Sequence, residues 1–457
     1  METISDNHST DTETLAGQAT DRELTVADPA DNFVPRFPQT VRDLDVGSVF
    51  LADLALKAVS LEADCTTANV ASRLHLGMLI VDELLQQLYH DKLIEKKGVV
   101  GLHNNRYVMV ERGWNRVNQL MSTCSYVGSA PVSLEAYTDM TVRQVRSRPP
   151  VAKAILEKTL GELVLPEATK RRLGLVASSG RSLFLSGPPG NGKTAMARAL
   201  VNAIPGSFWM PYAIEVDGQV IRVFDKHDHH QVPHPGTDYD QRWVRIAPPL
   251  VAVGGELTIQ SLDLTATETP RFYEAPFQLK ANGGVLVVDD LGRQRVSARE
   301  LLNRWIIPLE NRVDYLTLNT GKKIEVPFEQ IAIFATNLSH VDLVDAAFMR
   351  RMGYRLYVET QTADTYRHIF RQCARTYGVS ADDRLIERLL ARYQTEARPL
   401  TGCEPRDLIL RAIDICKFDS APIQLSQALL DEAWDSYFGG RAFAGVQKTD
   451  TIRSSPS

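Results

Sequence analysis

The sequence predicts an α/β fold, in which a parallel sheet carries helices on both faces, with an all-α unit after it and a smaller unit before it. From about Val151 onwards, helical and strand-like runs alternate, which is typical of a parallel sheet with crossover helices. After Thr362 the hydrophobic period is helical throughout. Between about Val46 and Met121, three helical segments precede two short β-rich runs around a polar turn. That last order is typical of a winged helix-turn-helix domain.

The size and charge of the chain limit what it can be. Its 457 residues are enough for two to four domains with real cores. The net charge is −5, but residues 1–40 contain eight acidic and two basic groups, so the rest of the chain sums to about +1. A nearly neutral body argues against a protein that binds its partner through a large basic field.

The cysteines and the hydropathy indicate a soluble, cytoplasmic protein. Five widely spaced cysteines without a CxxC pair suit a reducing compartment and favour neither a disulfide framework nor a structural zinc site. No apolar run approaches the roughly 18 to 20 residues that span a bilayer, and the acidic N-terminus lacks a signal-peptide pattern. We therefore expect no membrane insertion.

Composition shifts suggest where the domains begin and end. Residues 1–40 are rich in Asp, Thr, Ser and Glu and lack hydrophobic periodicity, and residues 126–150 carry Pro, Gly and Ser with little apolar period. We accordingly predict a disordered acidic tail (1–40), a winged helix-like domain (41–125), a linker (126–150), an α/β domain (151–360), an α-helical domain (361–440) and a disordered tail (441–457).

A glycine-rich loop lies between an apolar strand (Leu183–Leu185) and a helix, which is the context that a phosphate-binding loop requires. Glycines let backbone N–H groups approach phosphates, and the helix adds its positive N-terminus. A lysine can bind the outer phosphates and a threonine hydroxyl can ligate Mg²⁺. The loop consists of Gly187, Pro188, Pro189, Gly190, Asn191, Gly192, Lys193 and Thr194.

Two further strands end in polar side chains. A four-residue apolar run ends at Asp289 and Asp290, and the run QIAIFATN ends at Asn337. Buried parallel strands deliver such groups to the carboxyl edge of a sheet, beside the phosphate loop. We predict that Asp289 binds Mg²⁺, through water, and that Asp290 polarises the attacking water. Asn337 would hold that water or sense the γ-phosphate.

Three arginines and a hairpin follow. The segment YLTLNTGKKIEV predicts a β-hairpin about its Asn-Thr-Gly turn. Arg350 and Arg351 stand in AAFMRRMGYRL, and Arg406 opens a helix of the α-helical domain in CEPRDLILRA. Any one of these arginines alone is more often a surface or salt-bridge residue than a functional one.

The order of these features resembles the AAA+ ATPase superfamily. GPPGNGKT is similar to the Walker A motif, LVVDDLG to Walker B, FATN to sensor 1, AFMRRMGY to the arginine-finger segment and EPRDL to sensor 2. The resemblance implies an AAA+ P-loop NTPase core with an α-helical lid, ATP and Mg²⁺ as ligands, and a homo-oligomeric ring, usually a hexamer.

The resemblance also implies roles for the arginines. Arg351 or Arg350 would reach the γ-phosphate bound by the neighbouring subunit, and we favour Arg351, which precedes an apolar residue and a glycine. Arg406 would contact the nucleotide of its own subunit. The superfamily usually has Asp-Glu where this chain has Asp289-Asp290, so the shorter Asp290 predicts slower hydrolysis or a changed hold on the water.

Nearly the whole folded chain is similar to one bacterial AAA+ family. Its members are labelled predicted ATPases with chaperone activity and are associated with Flp (tight-adherence) pilus assembly. The segments that carry this resemblance are PYAIEVDGQVIRVFD, FYEAPFQLKANGG, LLNRWIIPLENRVDYLTLNTGKKIEVPF and YVGSAPVSLEAY. The resemblance implies that a protein partner is remodelled, in pilus or secretion machinery.

Two features of the long insert at residues 207–280 are open to two interpretations. Four histidines (His227, His229, His230 and His234) could bind Zn²⁺ or Ni²⁺, but the Asp, Pro and Gly residues among them favour a solvated loop. The Phe272-Tyr273 pair could grip substrate in a ring pore, although ordinary packing is the better interpretation.

The partner of the N-terminal domain also has two interpretations. The segment Met78–Asp91, predicted as its recognition helix, contains three acidic residues and no Lys or Arg, whereas DNA contacts need positive charge. Lys92, Lys96, Lys97 and Arg106 could form a modest basic wing. The first hypothesis is therefore an AAA+ ATPase that remodels an unknown protein, and the alternative is a nucleotide-switched DNA-binding regulator. A third possibility, suggested by Asp290, is a slow switch that uses ATP binding more than turnover.

Overall fold

The N-terminal unit is a helical bundle with a small antiparallel sheet. The computed structural model describes residues 28–266, 272–338 and 346–439. The sheet has the order β1-β3-β2, and α1 to α3 pack on it around an apolar core. The elements, in chain order, are α1 (Ser48–Val59), β1 (Cys65–Thr66), α2 (Thr67–Leu74), α3 (Met78–His90), β2 (Ile94–Gly101), β3 (Asn104–Met109) and α4 (Glu111–Thr123).

Residues 28–40 were predicted as disordered, and the structure contradicts this. A 3₁₀ turn spans Pro29–Phe33, and the carbonyl of Ala30 accepts a hydrogen bond from the indole of Trp209 at 3.1 Å. The segment therefore packs against the α/β domain. Residues 1–27 and 440–457, which cover the remainder of the first predicted tail and almost all of the second, lie outside the described residues.

A buried ion pair holds this segment in place. The carboxylate of Asp28 lies 2.7 Å from Arg245 and accepts a hydrogen bond from the backbone N–H of Ser207 at 3.0 Å. Burial raises the pKa of Asp28, but the hydrogen bonds from Ser207, Ala30 and Arg245 outweigh it and hold the pKa below its usual range. Charge pairing, which has no hydrophobic period, explains why the sequence pattern suggested disorder.

Residues 126–150 were predicted as a linker, and this prediction is also wrong. They contain β4 (Val132–Ser133) and α5 (Leu134–Arg146), whose first turn is capped by the Ser133 hydroxyl at 3.1 Å from the N–H of Ala136. The buried Gln144 amide forms two hydrogen bonds with the backbone of Trp209, at 2.7 and 3.0 Å. This segment is therefore an integral layer against the insert.

The α/β domain follows. It contains, in chain order, α6 (Lys153–Leu160), α7 (Glu167–Ser179), β5 (Leu183–Ser186), α8 (Lys193–Ala203), β6 (Phe208–Pro211), β7 (Ala213–Val216), β8 (Gln219–Arg222), β9 (Trp243–Ile246), β10 (Leu250–Val253), β11 (Thr265–Ala266), β12 (Tyr273–Glu274), α9 (Phe277–Lys280), β13 (Val285–Val288), α10 (Ala298–Arg304), α11 (Ile306–Asn311), β14 (Val313–Thr317), β15 (Lys323–Pro327), β16 (Ile331–Thr336), α12 (Ala346–Arg351) and β17 (Tyr354–Tyr357).

A parallel sheet with the order β10-β13-β16-β5-β17 forms the centre of this domain. Every residue of β5, β13 and β16 is buried, as expected for continuous apolar runs covered by helices on both faces. The carboxyl ends of these three strands meet at one edge. That edge brings together the loops that begin at Gly187, Asp289 and Asn337.

The insert forms its own sheet, with the order β11-β12-β8-β7-β4, together with the antiparallel pair β6 and β9. Because β4 belongs to this sheet, residues 126–146 and the insert share one hydrophobic core. The predicted hairpin is also present. It is formed by β14 and β15, and Gly321 has a positive φ of 82° in its turn.

The C-terminal helices, here called the lid, pack around a core that includes Tyr366, Phe370, Tyr393 and Trp434. The lid consists of α13 (Ala363–Thr376), α14 (Asp383–Thr395), α15 (Glu404–Phe418) and α16 (Gln427–Phe438). The parallel sheet and this helical unit confirm the predicted fold class. Among the residues that the structure describes, none of the helices has the length and apolar character needed to cross a bilayer.

Candidate active site

The phosphate loop connects β5 to α8 and can be built only with glycine at its first position. Gly187 has a φ of 144°, and a Cβ atom there would lie 2.2 Å from the carbonyl oxygen of Val358 at the end of the neighbouring strand. Gly192 also has a positive φ, of 80°, and caps the N-terminus of α8. The loop therefore passes close to the sheet edge and turns directly into a helix whose N–H groups point at the loop.

Lys193 is held inside this loop. Its side chain is only 7% exposed, and its ammonium group donates hydrogen bonds to the carbonyl oxygens of Gly187 and Pro188, both at 2.8 Å. Burial lowers the pKa of Lys193, whereas the nearby carboxylates of Asp289 and Asp290 act in the opposite direction. A buried cation beside a ring of backbone N–H groups is suited to bind an anion.

A continuous set of contacts joins the three loops at the sheet edge. The Thr194 hydroxyl donates to Asp289 at 2.7 Å, and the other oxygen of Asp289 accepts from the backbone N–H of Asp290 at 2.9 Å. The Asn337 amide in turn donates to the carboxylate of Asp290. The structure thus brings together Lys193, Thr194, Asp289, Asp290 and Asn337, which the sequence predicted as one site.

Asp290 has an unusual backbone conformation. Its φ is 51°, in the left-handed region, which asparagine and aspartate tolerate better than most side chains do. The following residue, Leu291, donates its N–H to Ala335 in β16 at 2.8 Å. The backbone at residue 290 is therefore fixed to the neighbouring strand, and this conformation favours the aspartate found here over the longer glutamate of the superfamily.

The sequence reasoning missed the residue that fixes this loop. The Gln294 side chain donates to the carbonyl of Asp289 at 2.9 Å and accepts from the N–H of Gly292 at 2.8 Å. Both contacts orient the backbone that carries the two aspartates. A single glutamine in a polar loop belongs to no motif, so the sequence offered no signal for it.

Two orphaned polar atoms test whether a nucleotide fits. Within the described residues, Asn191 Nδ2 and Asn337 Oδ1 are buried without a hydrogen-bond partner, one in the phosphate loop and the other at the sheet edge. Unpartnered buried polar atoms cost free energy, so a missing ligand or water is a natural partner for them. The donor set also fits. Loop N–H groups and Lys193 suit phosphates, and Thr194 with Asp289 offers the oxygen ligands that Mg²⁺ prefers.

Comparison with known families agrees with this geometry. Residues 183–360 match the model of the ATPase family associated with various cellular activities (AAA). The chain carries an AAA ATPase domain. This finding supports nucleotide binding and ATPase activity. A second model, a domain of unknown function (DUF8689), matches residues 362–436, which is the lid. A comparison with curated proteins found no match.

Comparison with solved structures found only distant likenesses. The Holliday junction branch migration motor RuvB of Thermotoga maritima is 14% identical, with 64% of this chain and 73% of that chain covered and a TM-score of 0.34. NtrX from Brucella abortus in complex with ADP is 15% identical, with 76% and 67% covered and a TM-score of 0.38. Likenesses at this level carry no argument about the activity of this chain.

The arginines of the AAA domain and the lid form ion pairs within their own chain. Arg351 donates to Glu310 at 3.0 Å, and Arg406 donates to Asp407 at 2.9 Å. Arg350 is exposed at the end of α12. The roles predicted for these arginines toward a nucleotide remain predictions.

The histidine segment is not a metal site in the part of the chain that the structure describes, where no group of three or more His, Cys, Asp or Glu side chains could hold a metal ion. The alternative of a solvated loop is only partly right. His234 lies 3.1 Å from Arg245 and packs edge-on against Trp209. His229 is buried, where it accepts from the N–H of Asp225 at 2.9 Å and donates to the carbonyl of Lys280 at 2.9 Å.

This environment predicts a pH dependence of stability. Burial lowers the pKa of His229, and although Asp228 and Asp225 oppose the effect, a second ring proton would face the Asp225 N–H. Because the unfolded chain binds this proton first as the pH falls, the folded state loses free energy of unfolding below about pH 6.5, by up to about 1.4 kcal/mol per pH unit. Urea unfolding between pH 7 and pH 5 measures this, and His229→Gln is expected to be less sensitive to pH.

The exposed His227 in the same loop provides a matched control for this prediction. His227→Gln should keep the pH dependence of the wild-type protein. If His229→Gln also kept it in full, another group would be responsible for the effect.

The Phe272-Tyr273 pair is packed, as the preferred interpretation expected. Tyr273 is buried and its hydroxyl accepts a hydrogen bond from the N–H of Asn319 at 2.7 Å, which joins the insert to the hairpin turn. Phe272 lies edge-on to Tyr126 with ring centroids 5.4 Å apart, and Arg222 lies over its ring.

Proposed function

We propose that this chain hydrolyses Mg-ATP at the carboxyl edge of its parallel sheet and uses the energy to remodel or assemble a protein partner. The observation that carries hydrolysis is the contact series from Thr194 through Asp289 and Asp290 to Asn337. Thr194 and Asp289 would hold Mg²⁺, which neutralises phosphate charge when bound. Asp290 would polarise the attacking water, and the free oxygen of Asn337 would orient it.

We further propose that the site is completed in a homo-oligomeric ring, as a hexamer. Arg350 is exposed at the end of α12 and Arg351 follows it, so this helix end can present positive charge to a neighbouring subunit. Arg351 would stabilise transition-state charge on the neighbour's γ-phosphate, and such an arginine can be worth about 10³ to 10⁵ in rate. Arg406 would act on the nucleotide of its own subunit.

The surface of the N-terminal unit supports a protein partner over DNA. The tip of the β2–β3 hairpin is apolar and exposed at Val99, Val100 and Leu102, and Leu102 is 87% exposed. Exposed apolar side chains grouped in this way favour protein contact. Helix α3 has no Lys or Arg, and its Asp82 is buried against Asn105, so this acidic group does not face outwards.

Lys92, Lys96 and Lys97 are exposed on the same unit and keep DNA as a second candidate. Arg106, which was predicted to join them, is paired with Asp64 at 2.9 Å. Because the chain resembles a family associated with Flp pilus assembly, pilus and secretion components are the first candidates for the protein partner.

The hairpin tip gives a direct test. The Asp290→Asn form, held in ATP, is expected to retain a specific protein from a lysate of its native cells. Adding Leu102→Asp should reduce the captured amount about 10-fold or more, because a carboxylate would be buried at an apolar contact. Quantitative mass spectrometry of the captured material measures this.

Val49→Asp provides the control, since Val49 lies on the same unit and is 66% exposed. It should leave the capture unchanged. Two results would contradict a protein-binding hairpin: capture that survives Leu102→Asp, or a salt-dependent shift of duplex DNA by the full chain that is lost when Lys92, Lys96 and Lys97 become alanine.

A further inference from the structure

Asn191 joins the phosphate loop to the lid. Its side chain is 4% exposed, and its oxygen accepts hydrogen bonds from the backbone N–H of Gly402 at 3.0 Å and from the Gln361 amide at 3.3 Å. Next to it, the N–H of Cys403 donates to the carbonyl of Gly190 at 2.8 Å. We call Asn191, Gln361 and Gly402 the lid contact.

The orientation of the Asn191 amide follows from its partners. The backbone N–H of Gly402 can only donate, so the side-chain atom that it meets must be the oxygen. The nitrogen therefore points elsewhere and has no partner within the described residues. The side chain is thus committed to the lid and is not shared with other groups of the loop.

Gln361 stands where the two parts of the chain meet. It is the single residue between the AAA match, which ends at 360, and the match that covers the lid, which begins at 362. Its backbone N–H donates to the carbonyl of Leu400 at 3.0 Å, while its side chain reaches Asn191. One residue therefore binds both the phosphate loop and the turn that precedes α15.

That turn is firmly anchored inside the lid. The buried carboxylate of Glu404 accepts from the Tyr393 hydroxyl at 2.7 Å and from the N–H of Thr401 at 3.3 Å. Tyr393 belongs to the lid core, so residues 401–404 move only with the lid as a body. Arg406 follows two residues later on the same helix, α15.

We propose that Asn191 is a positioning residue, which fixes the lid on the phosphate loop through the lid contact and so determines where Arg406 stands relative to bound phosphates. This inference rests on the proposed ATPase function and on the role of Arg406 within it. Asn191 lies between Gly190 and Gly192, in the backbone that would bind phosphate. Any adjustment of that backbone is therefore transmitted directly to Gly402 and the start of α15.

The lid contact can be tested without nucleotide by hydrogen–deuterium exchange of the peptide that contains residues 400–404. Asn191→Leu removes the acceptor and should speed exchange of the Gly402 amide about 3- to 10-fold, the effect of one net hydrogen bond. Asn191→Asp keeps the acceptor oxygen and should keep the protection. Equal protection in the wild type and Asn191→Leu would overturn the proposal.

Gln361→Leu tests the consequence for turnover while leaving the phosphate loop intact. It should lower kcat about 3- to 10-fold and change the dissociation constant for ATP by less than about 2-fold, because it alters the position of Arg406 and not phosphate binding. An unchanged kcat, or a weakened affinity for ATP with normal kcat, would overturn the positioning role.

Gln372→Leu is the matched control. Gln372 also joins the lid to the AAA domain, by a hydrogen bond of 2.6 Å to the carbonyl of Glu162, but away from the phosphate loop. It should change neither the exchange of residues 400–404 nor kcat; an effect equal to that of Gln361→Leu would mean that general loosening of the lid is the cause, and would overturn the proposal. If the wild-type chain bound no ATP, the proposed function would fail, while the exchange experiment would still report on the lid contact.

Discussion

Replacing Lys193 with alanine is expected to lower ATP turnover by at least about 10²-fold, the usual cost of removing one preorganised charge that stabilises a transition state. Its ammonium group is buried and lies against the carbonyls of Gly187 and Pro188. These contacts hold it where the outer phosphates would lie, and no other lysine belongs to the loop. Phosphate release under saturating ATP measures the effect, together with ATP affinity by calorimetry.

A surface lysine gives the comparison for this result. Lys153 lies 3.4 Å from Glu157 with its side chain 87% exposed, and such pairs contribute little. Lys153→Ala should therefore keep both turnover and thermal stability. If Lys193→Ala kept normal turnover, the ATPase assignment of this site would be wrong.

Replacing Asp290 with asparagine is expected to lower kcat by about 10²-fold while ATP stays bound, because the variant loses the charge that polarises water but keeps the local geometry. Asparagine tolerates the left-handed φ of 51° as well as aspartate does, and its oxygen can still accept from Asn337. Single-turnover hydrolysis and the dissociation constant for ATP separate these two effects. The ATP-bound form that results is the one needed to capture a partner.

Asp290→Glu is the informative companion variant. Glutamate restores the residue type of the superfamily, but it must adopt a φ that it tolerates less well, next to the Leu291–Ala335 hydrogen bond. We expect no gain in kcat from it. Turnover of Asp290→Asn at the wild-type rate would contradict the role assigned to Asp290 and would favour a switch that depends on ATP binding alone.

The residues of the site were largely predictable because they follow strand ends. The apolar runs that end before Gly187, Asp289 and Asn337 are buried on both faces in a parallel sheet, and parallel strands place their carboxyl ends together. Sequence order alone therefore brought these residues to one edge. Which residues sit beside the edge, such as Gln294, depends on loop paths that no period encodes.

The errors have a common physical cause. Residues 28–40 and 126–150 lack a clear hydrophobic period, so they were predicted as tail and linker. They are held by specific polar contacts, namely the ion pair of Asp28 with Arg245 and the amide of Gln144 on the backbone of Trp209. Their partners are more than 60 residues away in the chain, and a local pattern cannot reveal such pairs. Two of the eight acidic groups assigned to the tail, Asp28 and Asp31, are in fact bound to Arg245.

The sequence by itself determined the class of fold and the residues that face a phosphate, because hydrophobic period and glycine-rich turns are local properties of a chain. Tertiary structure alone decided the rest: that Asn191 binds the lid and not its own loop, that His229 is a buried packing residue, and that the hairpin tip is apolar and exposed. Each of these facts depends on which distant backbone donor, acceptor or apolar surface lies within a few ångströms. That information arises only when the domains pack together.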